Sequence, residues 1–222
     1  MNVKEYKQKY TTDDAPGWLA IDEKLAEVYK GQKERHYGPL CGVHYQVGGT
    51  DPIDGTSIYD VKSPEFHRHI ISYGLSELYY NEEKVGQEFS AWGFEFTFRL
   101  KQKTKEKDGI WSIHLMNNLA RYVFKSGRWF EPFHILPGND PIKLESQTKL
   151  TSLIFIVDPI LGIIQTPHGE VTFLQIVGIT DKEADRIKNS NDIIEEVKTI
   201  INEMKIDNPL LITDLDRTKE YL

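Results

Sequence analysis

The sequence predicts an α+β domain built on a mainly antiparallel sheet that helices flank. Short segments of alternating apolar and polar residues follow one another between turn residues, which is typical of antiparallel strands. Segments with a 3.6-residue apolar period flank these runs, without the regular strand–helix–strand alternation of a parallel sheet. The 222 residues are 39% hydrophobic and 27% charged, an ordinary globular composition that can bury a sizeable core.

No internal repeat, low-complexity tract or linker divides the chain, so we expect one domain over residues 16–216. Residues 1–15 are polar and are expected to form a flexible lead-in. Residues 217–222 are expected to form a C-terminal tail.

One helix and four strands are predicted before residue 101. Asp13, Asp14 and Pro16 open the helix, whose apolar positions keep a 3.6-residue period up to Gly31. The strands are residues 41–47, 56–61, 67–75 and 92–100, with a single helical turn at 76–80 and a polar loop at 81–90.

The strand at residues 92–100 has the cleanest alternation in the chain. Its apolar positions are Phe94, Phe96, Phe98 and Leu100, and its polar positions are Glu95, Thr97 and Arg99. This pattern predicts one face in the core and the other face in water.

The C-terminal half is organised around a hairpin that leads into a helix. An apolar run at residues 160–165 and a strand at residues 171–177 flank the turn residues 166–169. Because both faces of the second strand are mostly apolar, we expect it inside the sheet. Thr180 and Glu183 have the spacing of a capping box, which starts the helix at once.

The remaining predicted elements follow the same two periodicities. They are a helix from residue 110 to about residue 127, strands at 130–136 and 150–157, a helix at 193–204 and a short strand at 210–212.

Charge and composition exclude several function classes. A net charge of −7 argues against a nucleic-acid partner, and the basic run at residues 101–107 is interpreted as a solvated loop. Cys41 is the only cysteine, which excludes an intramolecular disulfide. The sequence has neither a signal peptide nor a run of the ~20 apolar residues that a membrane helix needs, so we expect a cytoplasmic protein without a membrane partner.

His67 and His69 are the strongest candidates for chemistry. Residues i and i+2 of a strand point the same way, about 7 Å apart, so both imidazoles could reach one metal ion. The sequence identifies no third ligand and no carboxylate behind either ring. We therefore favour hydrogen bonding on the sheet face, and keep a metal-dependent hydrolase that uses His67 and His69 as the alternative function.

Other catalytic patterns are weak. Cys41 and His44 lie three residues apart on a predicted strand, hence on opposite faces. Ser72 lacks the first glycine of a nucleophile elbow, and no phosphate-binding glycine pattern occurs. We therefore predict that the chain is not an enzyme and uses neither a cofactor nor a metal.

Aromatic residues next to polar loops serve either the core or an interface. Those in this chain are Tyr79, Tyr80, Phe89, Trp92, Trp111, Trp129 and Phe130. Each one alone is expected in the core, but as a set they are candidate anchors for a protein partner.

Several long motifs, in this order, resemble the suppressor of fused family. They are Gly17-Trp18-x-Ala20-Ile21-Asp22, Asp51-Pro52-Ile53-Asp54-Gly55, His67-x-His69-x-x-Ser72-Tyr73-Gly74-Leu75-Ser76-Glu77-Leu78-Tyr79, Gly93-Phe94-Glu95-Phe96-Thr97-Phe98-Arg99-Leu100, Leu119-Ala120-Arg121-Tyr122-Val123-Phe124, Gln165-Thr166-Pro167 with Gly169 and residues 171–178, and Leu211-Ile212-Thr213-Asp214. The resemblance runs from about residue 16 to about residue 216.

This resemblance implies a mixed-sheet α+β domain similar to the N-terminal domain of suppressor of fused, and protein binding in place of catalysis. The animal proteins clasp an extended peptide of a Hedgehog-pathway transcription factor between two domains, adding it to sheet edges. This chain stops after Leu222, without the second domain, so we do not expect the animal pathway role. Stand-alone chains resemble bacterial members, which implies an immunity protein that neutralises a toxin.

The resemblance also implies a partner-binding site. The tyrosine of the LSxLY motif, which lies at the peptide site in the family, is Tyr79 here. Gln87 or Glu88 takes the place of the family's acidic residue ahead of the next strand. The acidic balance favours a basic partner, either an extended peptide or a toxin.

Overall fold

A computed structural model describes residues 1–101 and 109–222, so most of the predicted basic loop at 101–107 lies outside the described residues. Within these ranges eight strands form one sheet: β1 Arg35–Tyr37, β2 Gly55–Val61, β3 His67–Tyr73, β4 Phe89–Lys101, β5 Ile135–Leu136, β6 Leu150–Val157, β7 Ile163–Thr166 and β8 Gly169–Thr180. The helices are α1 Val3–Lys9, α2 Pro16–Val28, α3 Ile110–Ser126, α4 Asp181–Lys188 and α5 Ile193–Lys205, with 3₁₀ turns at Tyr45–Val47 and Glu82–Lys84.

The sheet is mixed and mainly antiparallel, as predicted. Its order is β1-β2-β3-β4-β8-β6-β5, and β7 pairs with β8 outside this path. β4 and β8 run parallel, whereas every other pairing between the described strands is antiparallel. The position of β8 between β4 and β6 confirms that this strand lies inside the sheet.

The predicted hairpin and helix start are confirmed. β7 and β8 pair up to Thr166 and Gly169, which close the turn. β8 then continues beyond Gly178 to Thr180, where α4 begins. The Thr180 hydroxyl accepts from the Glu183 N–H at 3.3 Å, and the Glu183 carboxylate accepts from the Thr180 N–H at 2.8 Å. Two donors that the first helical turn leaves unpaired are thereby satisfied.

Helices cover both faces of the sheet. α3 packs on the face that carries the even-numbered residues of β4 and β8, including Phe96, Phe98 and Ile176. α2 covers the opposite face over β2 and β3. α4 and α5 cover that same face over β6 and β8. The protein therefore has three layers, with the sheet in the middle.

The prediction of a wet face on β4 is wrong. Glu95, Thr97 and Arg99 are 0%, 0% and 1% exposed. Their face is covered by α2 and by the chain that follows β6. Alternation along a strand shows that its faces differ in polarity, but it does not show what covers the polar face.

Arg99 and Asp158 form an ion pair inside this polar layer. Nη2 of Arg99 donates to both Asp158 oxygens, at 3.0 and 3.2 Å. The Thr97 hydroxyl also donates to Asp158, at 3.0 Å, and so do the N–H groups of Ile160 and Leu161, both at 2.9 Å. Burial opposes ionisation of Asp158, but its contacts with His69, Arg99 and the Leu161 N–H hold its pKa below the usual range. Asp158 thus fixes the turn after β6 to the centre of β4.

Several predicted elements are absent because the backbone turns at residues with positive φ. Residues 41–47 form turns and a 3₁₀ helix in place of a strand, and Gly42 and Gly48 have φ of 71° and 98°. The strand at 130–136 is reduced to β5, beyond Phe133 with φ 72°. No strand forms at 210–212, where Leu211 has φ 51°, and only Thr213 makes an isolated bridge, to Leu100.

Two further differences lie between the predicted strands. β1 was not predicted, since its three residues are too short for a periodic signal. Residues 76–80 form bends in place of a helical turn. Within the described ranges, none of the helices combines the length and the apolar character needed to cross a membrane.

Side-chain contacts connect both chain ends to the rest of the protein. Asn2 and Glu5 form a capping box at the start of α1, and Tyr6 on that helix is fully buried. Near the C-terminus, Arg217 pairs with the buried carboxylate of Glu183, and the Tyr221 N–H donates to the same carboxylate at 3.0 Å. The polar composition of residues 1–15 and 217–222 does not predict these individual contacts.

Replacing Asp158 with asparagine is expected to lower the free energy of unfolding by about 3–5 kcal/mol, because Arg99 then stays buried without an opposite charge. Urea unfolding at neutral pH measures this change. The matched control is Asp140→Asn, since Asp140 is exposed and makes no side-chain ion pair or hydrogen bond within the described residues. The control is expected within about 0.5 kcal/mol of the wild type, and equal losses in both variants would contradict the prediction.

Candidate partner-binding surface

The turn after β3 is held by one buried carboxylate. Oε1 of Glu95 accepts from the N–H groups of Gly74, Leu75 and Ser76 at 2.8, 3.0 and 2.9 Å. The hydroxyls of Ser76 and Ser72 also donate to this carboxylate, both at 2.6 Å. Burial raises the pKa of Glu95 to about 7, although these hydrogen bonds act in the opposite direction. The turn that leads to Tyr79 is therefore fixed from inside the sheet.

Tyr79 lies half-buried in a cleft beside this turn. Its hydroxyl donates to Oδ2 of Asp54 at 3.0 Å, and Oδ1 of Asp54 accepts from the Tyr45 N–H at 2.9 Å. Burial, followed by the Asp54 carboxylate, raises the pKa of Tyr79. Trp92 and Phe124 line the same cleft. Tyr79 thus lines the cleft while its hydroxyl is held by Asp54.

Gln87 and Glu88 are exposed and lie directly before β4. Their backbone is tied to the β7–β8 turn, because the Gly86 N–H donates to the Pro167 carbonyl and the Glu170 N–H donates to the Glu88 carbonyl, both at 3.0 Å. Gly169 is required here: it has φ 123°, and a Cβ on it would lie 2.7 Å from the Gln87 carbonyl oxygen. The two side chains therefore project from a fixed backbone.

An irregularity in β4 opens a groove next to these residues. The register between β4 and β8 shifts between Phe89 and Phe94, and Ala91 and Gly93 have φ of 50° and 79°. A groove of about 670 Å³ follows this bulge. Its lining includes Phe89, Trp92, Trp129, Phe130 and Phe133.

The groove exposes two aromatic side chains that were each expected in the core. Phe89 and Trp129 are 52% and 53% exposed, whereas Phe130 is 7% exposed and belongs to the core. Ala91 and Trp92 line both the groove and the cleft at Tyr79. The groove and the cleft are therefore neighbours across the bulge, and we call them together the bulge surface.

Acidic groups lie along part of the groove. Glu131 is the only charged residue among the described lining of the groove, and it accepts from the Trp129 indole N–H at 3.0 Å. Glu88 is exposed and directly precedes Phe89 in the sequence, and Glu170 is the β8 residue paired with Phe89. A partner that fills this groove meets negative charge at its edge.

The structure places His67 and His69 in the polar layer, away from the bulge surface. Both are fully buried. Nε2 of His67 lies 3.1 Å from Nη1 of Arg99, which can only donate, and its Nδ1 therefore donates to the Glu65 carbonyl at 2.8 Å. Within the described residues, no group of three or more His, Cys, Asp or Glu side chains could hold a metal ion.

His69 is enclosed in the same way. Tyr29 binds its Nδ1, and its Nε2 lies 2.9 Å from Oδ2 of Asp158, outside good hydrogen-bond alignment. Burial, with a contribution from Arg99, lowers the pKa of His69 to about 4, so the ring is neutral near pH 7. Three of the four ring nitrogens of His67 and His69 are thus hydrogen-bonded within the protein, which agrees with the role on the sheet face that the sequence favoured.

The other catalytic candidates are also separated. The Ser72 hydroxyl donates to Glu95 and is buried. The Cys41 thiol is exposed and contacts the Val43 carbonyl, while His44 lies 3.3 Å from Asp54. No hydrogen bond joins Cys41 to His44 within the described residues.

Three components of the site were missed by sequence reasoning. The sequence shows Asp54 only as part of a family motif, and it predicts Glu95 on a solvent-exposed face and Phe133 in a strand. Each acts through contacts with residues far along the chain, which local patterns do not report. The one local signal for a buried hydrogen-bonding role of Glu95 is its position between Phe94 and Phe96.

The site thus combines a buried polar layer on β4, held by internal contacts, with an aromatic groove that is open to solvent. The family model described as "Suppressor of fused protein (SUFU)" matches residues 49–218. The chain therefore belongs to the suppressor of fused family.

Two curated relatives are similar over much of the chain. Human suppressor of fused homolog is 39% identical over 189 residues, which cover 79% of this chain and 38% of the human protein. The mouse homolog is 38% identical with the same coverage. The chain thus spans well under half the length of these relatives.

Solved structures confirm the predicted fold. A crystal structure of the Sufu–Fu complex matches with a TM-score of 0.82 and 29% identity over 94% of this chain and 93% of that one. Drosophila Suppressor of Fused matches with a TM-score of 0.81 and 29% identity over 95% of this chain and 52% of that one. A homologue from Neisseria gonorrhoeae, at 17% identity and a TM-score of 0.57 over 93% of this chain and 97% of that one, shares the fold.

The stability of the wild-type chain relative to Glu95→Gln is expected to fall as the pH rises from about 4.5 to about 7. The pKa of Glu95 is raised from 4.5 to about 7 in the folded state, so the stabilisation is complete below 4.5 and is lost as the pH rises through 7. Glutamine keeps an acceptor oxygen for the three N–H groups but does not titrate.

Urea unfolding of both chains at about pH 5 and about pH 8 measures this difference. Glu88→Gln is the control, because Glu88 is exposed. A difference between wild type and Glu95→Gln that stays constant with pH would contradict the prediction.

Proposed function

We propose that this chain is a non-enzymatic protein-binding module that holds an extended segment of a partner protein along the bulge surface. The observation that carries the proposal is the aromatic groove beside the irregular start of β4. Tyr79 on one side of the bulge, and Gln87 and Glu88 ahead of it, are its proposed partner-binding residues.

The groove has the composition of an interface centre. Aromatic residues are enriched at binding hot spots, where they enter or line desolvated pockets. Phe89 and Trp129 supply such rings at about half exposure. The backbone on either side is already fixed by Glu95 and by the β7–β8 turn, so ordering the site adds little entropic cost to binding.

The charge of the surface supports a basic partner. Glu131 lines the groove, Glu88 and Glu170 lie next to its Phe89 in sequence and across the strand pair, and the chain as a whole carries a net charge of −7. One relative of known structure is crystallised in a Sufu–Fu complex, which shows that a member of this family binds a protein. We further propose that this chain is a cytoplasmic immunity protein whose partner is a basic toxin.

Tyr79→Ala combined with Glu88→Ala is expected to reduce retention of the partner from a lysate of the source organism by at least about tenfold. The change removes one ring from the bulge surface and one charge next to it, and a hot-spot truncation of about 1.4 kcal/mol or more corresponds to that factor. The measurement is quantitative mass spectrometry of the proteins retained by the immobilised chain.

The matched control is Asp185→Ala combined with Ile206→Ala. These residues are exposed near α4 and α5 and line neither part of the bulge surface. Circular dichroism confirms that each variant is folded. If the bulge variant retains the same proteins in the same amounts as wild type, the assignment of the surface is wrong.

Retention is also expected to weaken as salt rises from about 0.05 M to about 0.5 M, because salt screens attraction between an acidic surface and a basic segment. The same mass-spectrometry assay measures it. A retained toxin is then tested by rescue of growth on co-expression. Retention that is unchanged or stronger at high salt would contradict a basic partner.

A further inference from the structure

We propose that α1 is a strap whose Tyr6 hydroxyl positions the two backbone segments that present the partner-binding residues. These segments, residues 77–81 and residues 86–89, are called the docking segments here. The inference rests on the proposed function, because it assigns a positioning role for that site to a helix that lies outside residues 49–218 matched by the family model.

Tyr6 is held at the meeting point of three parts of the chain. It is fully buried, and its hydroxyl accepts from the Asn81 N–H at 3.0 Å. The same hydroxyl lies 2.8 Å from Nε2 of His168. Its ring packs against Tyr80 and His168, with centroid distances of 5.0 and 5.5 Å.

The proton positions follow from the partners. The Glu77 carbonyl can only accept, so Nδ1 of His168 donates to it at 3.0 Å. Nε2 of the neutral ring then accepts from the Tyr6 hydroxyl, which leaves that oxygen free to accept from Asn81. Burial lowers the pKa of His168, which favours this neutral form.

The hydrogen bonds of Tyr6 and His168 reach both docking segments. Glu77 and Asn81 flank Tyr79 in the sequence, so these hydrogen bonds hold the first docking segment at each end. The turn that carries His168 also binds the second segment, through Pro167 to Gly86 and through Glu170 to Glu88. A change at Tyr6 can therefore alter the backbone on both sides of the bulge surface.

A further contact ties α1 to the chain between the two segments. Lys7 pairs with Glu82, which begins the 3₁₀ turn at Glu82–Lys84. This pair is solvent-exposed and contributes little by itself. The Tyr6 hydroxyl, which has buried partners, is therefore the group that positions the docking segments.

The test compares Tyr6→Phe with Tyr10→Phe in the full chain. Tyr6→Phe keeps the buried ring and removes the hydroxyl, which leaves the Asn81 N–H and His168 Nε2 without that partner. Tyr10 packs on Tyr6 at a centroid distance of 5.3 Å, and its hydroxyl makes no hydrogen bond to either docking segment within the described residues.

Amide hydrogen exchange is the first readout and needs no partner. In Tyr6→Phe, amides in residues 77–89 are expected to exchange about tenfold faster, as loss of a buried hydrogen bond predicts. Amides of Phe96 and Phe98 in the centre of β4 are the internal reference and are expected to stay unchanged. Unchanged exchange at 77–89, or an equal increase at the reference amides, would overturn the positioning role.

Retention of proteins from the lysate is the second readout. It counts only those proteins that the wild type retains and that the Tyr79→Ala, Glu88→Ala variant does not retain. Tyr6→Phe is expected to lose them and Tyr10→Phe to keep them. If exchange rises locally but Tyr6→Phe keeps these proteins, the strap inference fails and the proposed function stands. If the Tyr79→Ala, Glu88→Ala variant loses no protein, the proposed function fails, and the strap inference fails with it.

Discussion

The fold depends on the burial of three polar side chains on one face of β4. Glu95, Thr97 and Arg99 lie on the side of the sheet that α2 covers, where unpaired polar groups are costly. Each finds partners outside the adjacent strands of the sheet ladder: Glu95 binds the turn after β3, and Thr97 and Arg99 bind Asp158 after β6. A single strand thereby fixes two loops.

This arrangement contributes to specificity of register more than to raw stability. A buried ion pair such as Arg99 with Asp158 gains little net free energy, because desolvation offsets much of the attraction. A one-residue slip of β4 would, however, turn Arg99 into the apolar core under α3 and place Phe98 against Asp158. Such a slip leaves two buried charges unpaired, so the native register is strongly favoured.

Local signals were sufficient for the elements that local chemistry determines. The capping box at Thr180, the period of α3 and the β7–β8 turn each lie within a short window of sequence. Two of the predicted strands are interrupted at Phe133 and Leu211, where a positive φ falls on a residue type that does not indicate it in the sequence. The family motif identified Tyr79, but the groove beside it is lined in part by Trp129, which lies far from Tyr79 in the sequence.

The two ends of β4 differ in a way that suits a binding domain. Its C-terminal part is enclosed by the polar layer and by pairing with β3 and β8. Its N-terminal part breaks its register with β8 between Phe89 and Phe94 and presents rings to solvent. Because Glu95 stands just after the break and holds the turn before Tyr79, the irregular part is fixed by the regular part. An open groove on a fixed backbone is preorganised, so most of the ordering on binding falls on the partner.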